Sequence, residues 1–455
     1  MADLVQLRRS DAPNPPEPTQ ADPSAPAVYL ETFGCQMNAA DSALISGQLG
    51  RGGYRAVQDP AEADVILINT CAIREKAEDR VWGRTSQLLK HRADNPGLII
   101  GITGCMAEHL KDKVAARAPY ISLVAGPDSY RSIAELVDRA RGGESVVDVK
   151  LDKEEVYDEL DPHAQDDGVS GFVTIQRGCD KFCTFCVVPY TRGRERGVAP
   201  REVLRHARVL AERGYKEVVL LGQTVNSYVY EDVDFAALLR TVAQLDGIER
   251  IRFTSPYPVD FSPRVIEVMA TEPKVCPQVH LPLQSGSDVM LESMRRGYSR
   301  QQFIDLVGAL REAVPHLALS TDLMVGFCGE SDEDHAQTLS AMREVRFDSA
   351  FMFKYSDRGI TYASRKLVDD VSPEVKGARL RDVINLQEEH THASHNAQIG
   401  NTVDALILGT SKRGDKTLAC APTYHKVLLP LGAGKPGDLV RATISGTTGH
   451  SLLAL

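Results

Sequence analysis

Short apolar runs alternate with longer amphipathic stretches along most of this chain. Val28 to Phe33, Val65 to Thr70 and Leu98 to Thr103 are compact and apolar, and Ser42 to Leu49 and Arg74 to Lys90 between them read as helices. Strand, helix, strand at this spacing predicts a parallel sheet with crossover helices. Residues 28–143 are therefore predicted to form an N-terminal doubly wound α/β domain. A second pattern of the same kind runs to about residue 398. Strands are predicted at Phe172 to Gln176, Glu217 to Leu221, Arg250 to Phe253, Gln278 to Leu281, Ala318 to Val325 and Ser349 to Lys354. Helices such as Pro200 to Arg213 and Ser331 to Val345 separate them. Six βα units predict a partial barrel over 169–398, with its chemistry at the C-terminal strand ends. From about residue 399 the pattern changes. Val403 to Leu408, Tyr424 to Leu429 and Leu439 to Ile444 are short strands spaced by Gly, Lys and Asp, which predicts a small β-barrel over 399–455.

Composition adds the segments between and around these units. Residues 1–27 are Pro-rich and polar and are expected to be a disordered tail. Residues 144–168 carry ten acidic and two basic side chains and few large apolar ones. They are expected to be an acidic linker, a solvated surface loop being the alternative. No apolar run approaches the ~20 residues of a membrane span, and the N-terminus does not resemble a signal peptide. A cytosolic protein is expected. The net charge of −10 is uneven: residues 177–201 hold six basic and two acidic side chains, and 399–455 six and three. A local phosphate-binding surface is therefore compatible with an acidic chain.

The chain has nine cysteines. Disulfides rarely persist in the cytosol, which leaves metal ligation, redox chemistry or buried thiols. Cys179, Cys183 and Cys186 form a C-x3-C-x2-C triplet directly after the first strand of the second domain. One loop can fold three such thiolates around a cubane cluster and leave one iron open, free to chelate S-adenosylmethionine for reductive cleavage to a 5′-deoxyadenosyl radical. A structural zinc site wants four ligands, and the loop holds one C-x2-C and no His. Cys35, Cys71 and Cys105 are far apart in sequence, yet each lies just past a predicted strand of the first domain. Parallel strand ends share an edge, so these thiols can converge on a second cluster; three buried turn thiols are the alternative. Gly34 and Gly104 directly precede two of them and permit tight turns. Cys276, Cys328 and Cys420 have no such geometry and are expected to be core or surface thiols.

At these motifs the sequence resembles the methylthiotransferase family of radical S-adenosylmethionine enzymes. The resemblance rests on TFGCQMNAADS, NTCAIREKAEDR, GCMAE and RGCDKFCTFCVVPYTRGRE, then LGQTVNSY, RFTSPYPVDFS, HLPLQSGSD and STDLMVGFCGESDED. Cys35-Gln36-Met37-Asn38 is similar to the tRNA-modifying branch. It is unlike the Cys-Pro-Lys-Asn of the ribosomal-protein branch and the Cys-Lys-Val-Asn of the threonylcarbamoyladenosine branch. The resemblance implies two [4Fe–4S] clusters: one on Cys179, Cys183 and Cys186 that generates the radical, one on Cys35, Cys71 and Cys105 that handles the sulfur. It implies S-adenosylmethionine as methyl and radical source, and N6-isopentenyladenosine beside the tRNA anticodon as substrate. It also implies a flavodoxin- or ferredoxin-like reductant and a TRAM-like RNA-binding final domain. Another modified adenosine or a ribosomal protein is the alternative substrate; a non-catalytic iron–sulfur carrier is the alternative of another class. Two departures stand out: Cys328 replaces the usual Pro of a Gly-Phe-Pro-Gly-Glu string, and Ala419 to His425 reads ACAPTYH where relatives carry an Arg- and Asn-rich string.

Other residues are placed by position alone. Gly222 and Gln223 follow the second barrel strand, and His280, Gln284 and Ser285 follow the fourth. They are candidates for cofactor or substrate contact, or else polar turn residues. Gly326, at the end of the fifth strand, is assigned with them to the cofactor. Arg192, Arg194 and Arg196 beside Tyr190 could meet RNA phosphates, a solvated basic loop being the alternative. His390, His392 and His395 fall on a predicted helix and are expected to be solvated rather than metal-bound. Trp82 is expected to anchor the core.

Overall fold

The computed structural model describes residues 22–72, 75–111, 113–160 and 168–455. Most of the predicted tail, Arg74 and residues 161–167 lie outside them. The first unit is a six-stranded, wholly parallel sheet in the order Arg55–Ala56, Ala27–Thr32, Val65–Thr70, Ile99–Gly104, Leu123–Ala125, Val146–Asp148. Every residue of Val65–Thr70 is buried, as a central parallel strand covered on both faces requires. Val65 and Leu67 join one core with Ile45, Leu49 and Ile133, while Ile66 and Ile68 join the opposite core with Val81, Trp82 and Met106. That alternation makes the domain doubly wound, and Trp82 is a core residue.

The acidic segment is not free of this domain. Val146–Asp148 supplies its edge strand. Tyr157 and Leu160 are buried in its core, and the Tyr157 ring stacks on Tyr130 with centroids 5.7 Å apart. A few apolar side chains suffice to fasten a segment this rich in charge.

The central unit has six parallel strands in two sets of three. Ser170–Thr174, Glu217–Leu221 and Arg250–Phe253 form one; Gln278–His280, Ala318–Val325 and Ser349–Lys354 form the other. A parallel bridge between Ile251 and Val275 joins them. Among the described residues the first and last strands do not pair, so the barrel stays open. Crossover helices start where the sequence provides caps, such as the Ser331–Asp334 capping box before Asp332–Val345.

The last unit is a closed five-stranded barrel of Thr402–Thr410, Lys416–Cys420, Lys426–Pro430, Leu452–Ala454 and Leu439–Thr447 around Ala405, Ile407, Val427 and Ile444. It is fastened to the central unit. Arg250 Nη1 donates to the Cys420 carbonyl at 2.8 Å; Arg252 donates to the Ala421 and Pro422 carbonyls at 2.9 and 2.8 Å while Glu217 neutralises it at 2.8 Å. The ACAPTYH string is thus part of a domain junction. His395, expected to be solvated, is buried there: it lies on the helix Pro373–Ala397 with its ring 5.2 Å from that of His425. The barrel packing on that helix face is what covers it. Among the described residues no helix is long and apolar enough to cross a membrane.

Candidate iron–sulfur and substrate site

The cysteines of the first domain are set by backbone geometry. Cys35 caps the helix Gln36–Arg51, Cys71 follows the strand Val65–Thr70, and Cys105 opens the helix Cys105–Leu110. The two preceding glycines are required. Gly34 has φ +134°, and a Cβ there would stand 2.6 Å from Cys71 Cβ; Gly104 has φ +90°, and a Cβ would stand 2.4 Å from Asn69 Oδ1. The turns are further pinned by Asn38, whose Nδ2 donates to Asn69 Oδ1 at 3.1 Å and to the Thr70 carbonyl at 2.9 Å.

The second cysteine set lies on the loop after Gln176–Arg177. Amide N–H groups of Lys181 and Val188 donate to Cys179 Sγ and Cys186 Sγ, each at 3.5 Å. Thr184 fixes the loop from inside: its N–H donates to the Met294 carbonyl at 3.1 Å and its hydroxyl to the Ser293 carbonyl at 2.9 Å.

All six cysteines line one cavity of about 310 Å³ between the first two units. Two buried arginines reach their sulfurs. Arg192 Nε donates to Cys105 Sγ at 3.1 Å, and Arg296 Nη1 donates to Cys183 Sγ at 3.2 Å. Burial pushes the Cys179 thiol up to about 11 and the Cys186 thiol up to about 12. A hydrogen bond from Cys71 and the Arg192 charge pull the Cys35 thiol down to about 6. Among the described residues no three His, Cys, Asp or Glu side chains close on a single metal ion. The thiols ring a space instead, which suits a multi-iron cube taking one thiolate per iron. Buried thiols reluctant to ionise, with donors already aimed at their sulfurs, also fit cationic irons that would stabilise the thiolates.

Gly222, Gln223 and Gln284 line the same cavity, together with Asp322. His280, Ser285 and Gly326 are not among its lining. His280 Nε2 meets Asp322 Oδ2 at 3.4 Å. Ser285 is fully buried and shares a hydrogen bond with Thr338 Oγ1 at 3.2 Å. Gly326 has φ +69°, and a Cβ there would overlap the Lys376 side chain. Cys328 packs with Phe327 and Tyr355; Cys276 and Cys420 are buried near Arg252.

The arginines of the cysteine loop differ from expectation. Arg192 and Arg196 are buried and face carboxylates of the first domain: Arg192 pairs with Asp41 at 2.7 Å, Arg196 with Asp128 at 3.0 Å. Neither is open to RNA phosphate. A buried guanidinium needs a counter-charge, and the domain junction supplies both. Only Arg194 is exposed, beside Asp180 at 2.5 Å. Sequence reasoning passed over Asp41, whose place six residues past Cys35 in the same motif was a usable signal. It also passed over Arg296, which is 113 residues from Cys183 and carried no signal.

Comparison with known proteins follows the same division. Residues 27–126 match the uncharacterized protein family UPF0004, and residues 173–342 match the radical SAM superfamily. The chain is 42% identical over 429 residues to the tRNA-2-methylthio-N(6)-dimethylallyladenosine synthase of Chloroherpeton thalassium, covering 94% of this chain and 95% of that one. It is 45% identical over 410 residues to the protein of the same name from Porphyromonas gingivalis, covering 88% of each. Among solved structures it is similar to the radical S-adenosylmethionine methyltransferase TsrM of Kitasatospora setae, with TM-score 0.56, 15% identity and coverage of 74% and 77%. It is also similar to the cobalamin-dependent radical enzyme OxsB, with TM-score 0.54, 13% identity and coverage of 81% and 56%. These last two likenesses concern the fold.

Proposed function

Since this chain belongs to the tRNA-2-methylthio-N(6)-dimethylallyladenosine synthase family of radical SAM enzymes, we propose that it inserts a methylthio group at C2 of N6-isopentenyladenosine 37 in tRNA. The observation that carries this reading is the single cavity that all six motif cysteines line. Cys179, Cys183 and Cys186 would hold the radical-generating [4Fe–4S] cluster and Cys35, Cys71 and Cys105 the auxiliary one. The clusters and S-adenosylmethionine supply radical generation, the methyl group and a site for sulfur, because the C2–H of adenine yields to neither acid nor base.

The chain's own groups do the rest. Arg192 and Arg296 each give an N–H to a ligand sulfur, which stabilises thiolate character. Asp41 holds Arg192 and so fixes one cysteine set against the other. Gly222, Gln223 and Gln284 present backbone and amide groups to whatever fills the cavity between them. The C-terminal barrel, with six basic and three acidic residues, is the TRAM-like module that meets RNA. A flavodoxin- or ferredoxin-like protein would deliver the electrons, and the cytosol is where enzyme, reductant and tRNA meet.

The test is reconstitution under anaerobic conditions, followed by reduction and incubation with S-adenosylmethionine and isopentenylated tRNA. Mass spectrometry of the digested nucleosides should show the methylthio derivative at that adenosine. Product on threonylcarbamoyladenosine or on a ribosomal protein, and none on the isopentenylated base, would overturn the substrate assignment.

A further inference from the structure

The lumen of the open barrel is covered unequally on its two sides. On the first three strands, Phe172, Val219 and Leu221 pack against Met37 and Ala40 of the first domain, and Arg250 and Arg252 take up carbonyls of the C-terminal barrel. On the other three strands the lumen face is only partly covered. Burial alternates along Ala318–Val325: Leu319, Thr321, Leu323 and Val325 are buried, while Ser320, Asp322 and Met324 are only half-buried. Alternate residues of a strand point to opposite faces, so Asp322, which lines the cavity, marks the lumen face. Phe351 stands opposite Asp322 in register on the neighbouring strand and shares that face.

Phe351 is 50% exposed. Its neighbours Ala350 and Met352 pack into the core and satisfy the strand's other face, so burial in the core does not explain the phenyl ring. His280 approaches it edge-on, with ring centroids 5.7 Å apart, and its Nε2 meets Asp322 Oδ2 at 3.4 Å. An uncovered aromatic face, an imidazole and a carboxylate thus form one wall that runs into the cavity at Asp322.

That wall selects its ligand by chemistry. A flat π face takes a planar partner, and the Asp322 carboxylate accepts from an N–H-bearing edge, while His280, held by Ser320 Oγ at 3.0 Å, orients that carboxylate. The carboxylate repels phosphate, so the base of a nucleotide and not its backbone belongs here. Chemistry on a base inside an RNA loop requires the base to leave its stack, and aromatic side chains are the usual surface that receives unpaired bases. We propose that Phe351 is a stacking platform for an unpaired base of the RNA substrate at the cavity mouth, with Asp322, oriented by His280, engaging its polar edge. This rests on the tRNA reading given above.

The test uses the cluster-loaded enzyme and an isopentenylated anticodon stem-loop RNA. Phe351→Ala should weaken binding about 5- to 150-fold, the range for losing one base–aromatic stack, and Phe351→Trp should restore it. The chain has one tryptophan, the buried Trp82, so the new indole at 351 reports directly: its emission should be quenched as RNA saturates. Wild-type affinity in Phe351→Ala, or unchanged emission in Phe351→Trp at saturating RNA, would overturn the platform while leaving the tRNA reading intact. If Phe351→Ala binds RNA normally but accepts electrons more slowly from reduced flavodoxin, the face docks a protein and the proposal fails. If the wild-type enzyme neither binds nor modifies the RNA, the tRNA reading itself falls, and the platform with it.

Discussion

Asp41 Oδ2 accepts a hydrogen bond from Arg192 Nη2 at 2.7 Å, with both side chains almost wholly buried between the first two units. The other oxygen of that carboxylate takes Arg177 at 2.6 Å. Arg177 lies two residues before Cys179 and Arg192 six residues after Cys186, so one carboxylate ties both ends of the cysteine loop to the first domain.

Removing that charge takes the shared counter-ion from two buried guanidinium groups and, among the described residues, leaves Arg192 only its contact with the Cys105 sulfur. Asp41→Asn should cost on the order of 3–5 kcal/mol, read as a fall in the urea midpoint of the loaded protein with an unchanged slope. A loss below about 1 kcal/mol would mean that the two arginines are compensated by other groups.

Each of Cys179→Ala, Cys183→Ala and Cys186→Ala should abolish cleavage of S-adenosylmethionine, because two thiolates do not hold a cluster with one open iron. Quantifying 5′-deoxyadenosine after reduction checks this; a near-wild-type yield from any one variant is the contrary result.

A Cys35/Cys71/Cys105 triple alanine variant should retain about half the iron, which follows if each triplet holds one like cluster. It should still produce 5′-deoxyadenosine and make no methylthio product. Iron analysis beside product analysis separates the two cysteine sets; unchanged iron would place the second cluster elsewhere.

Deleting the C-terminal barrel would strip Arg250 and Arg252 of their carbonyl partners, so its RNA role is better tested by charge. Lys412 and Arg413 lie on its exposed turn. Lys412→Glu with Arg413→Glu should weaken tRNA binding and flatten the log–log salt dependence by roughly 0.7–0.9 for each phosphate the turn no longer neutralises. Filter binding across a salt series that shows equal slopes would remove this turn from the interface.

Burial holds His395 and His425 below the ordinary value of 6.5. They resist protonation in the fold, while the unfolded chain takes up protons near that value. Their contribution to stability is therefore complete above about pH 6.5 and declines as the pH falls through and below it. Thermal melts of the loaded enzyme should show a lower Tm on stepping from about pH 7.5 to about 5.5, and His395→Asn with His425→Asn should flatten that profile.

Much of this was legible in the chain. Val65–Thr70 and Ala318–Val325 were predicted to the residue, the first because a strand buried on both faces is an almost unbroken apolar run, the second because its apolar residues alternate with polar ones. Leu123–Ala125 and Val146–Asp148 were not, since three-residue edge strands carry too little pattern. The cysteine sets were legible because a strand end places its next residue on a shared edge. Arg296 was not, and neither was the fate of Arg192: the partner of a buried charge is chosen by tertiary packing, and a basic string in sequence looks the same whether it meets phosphate or Asp41. Tyr157 escaped for a similar reason, since one ring in an acidic stretch gives no periodicity.

The arginine clamps on the C-terminal barrel have a last consequence. Arg250 and Arg252 hold it by main-chain oxygens, and the helix bearing His395 backs it, so the barrel is fastened to the central unit at two places. On the proposed function, an RNA gripped by the barrel and inserted into the cysteine-lined cavity would have to bridge the interval these contacts set. The enzyme would then work as a caliper, sensing a transcript's span as well as its bases.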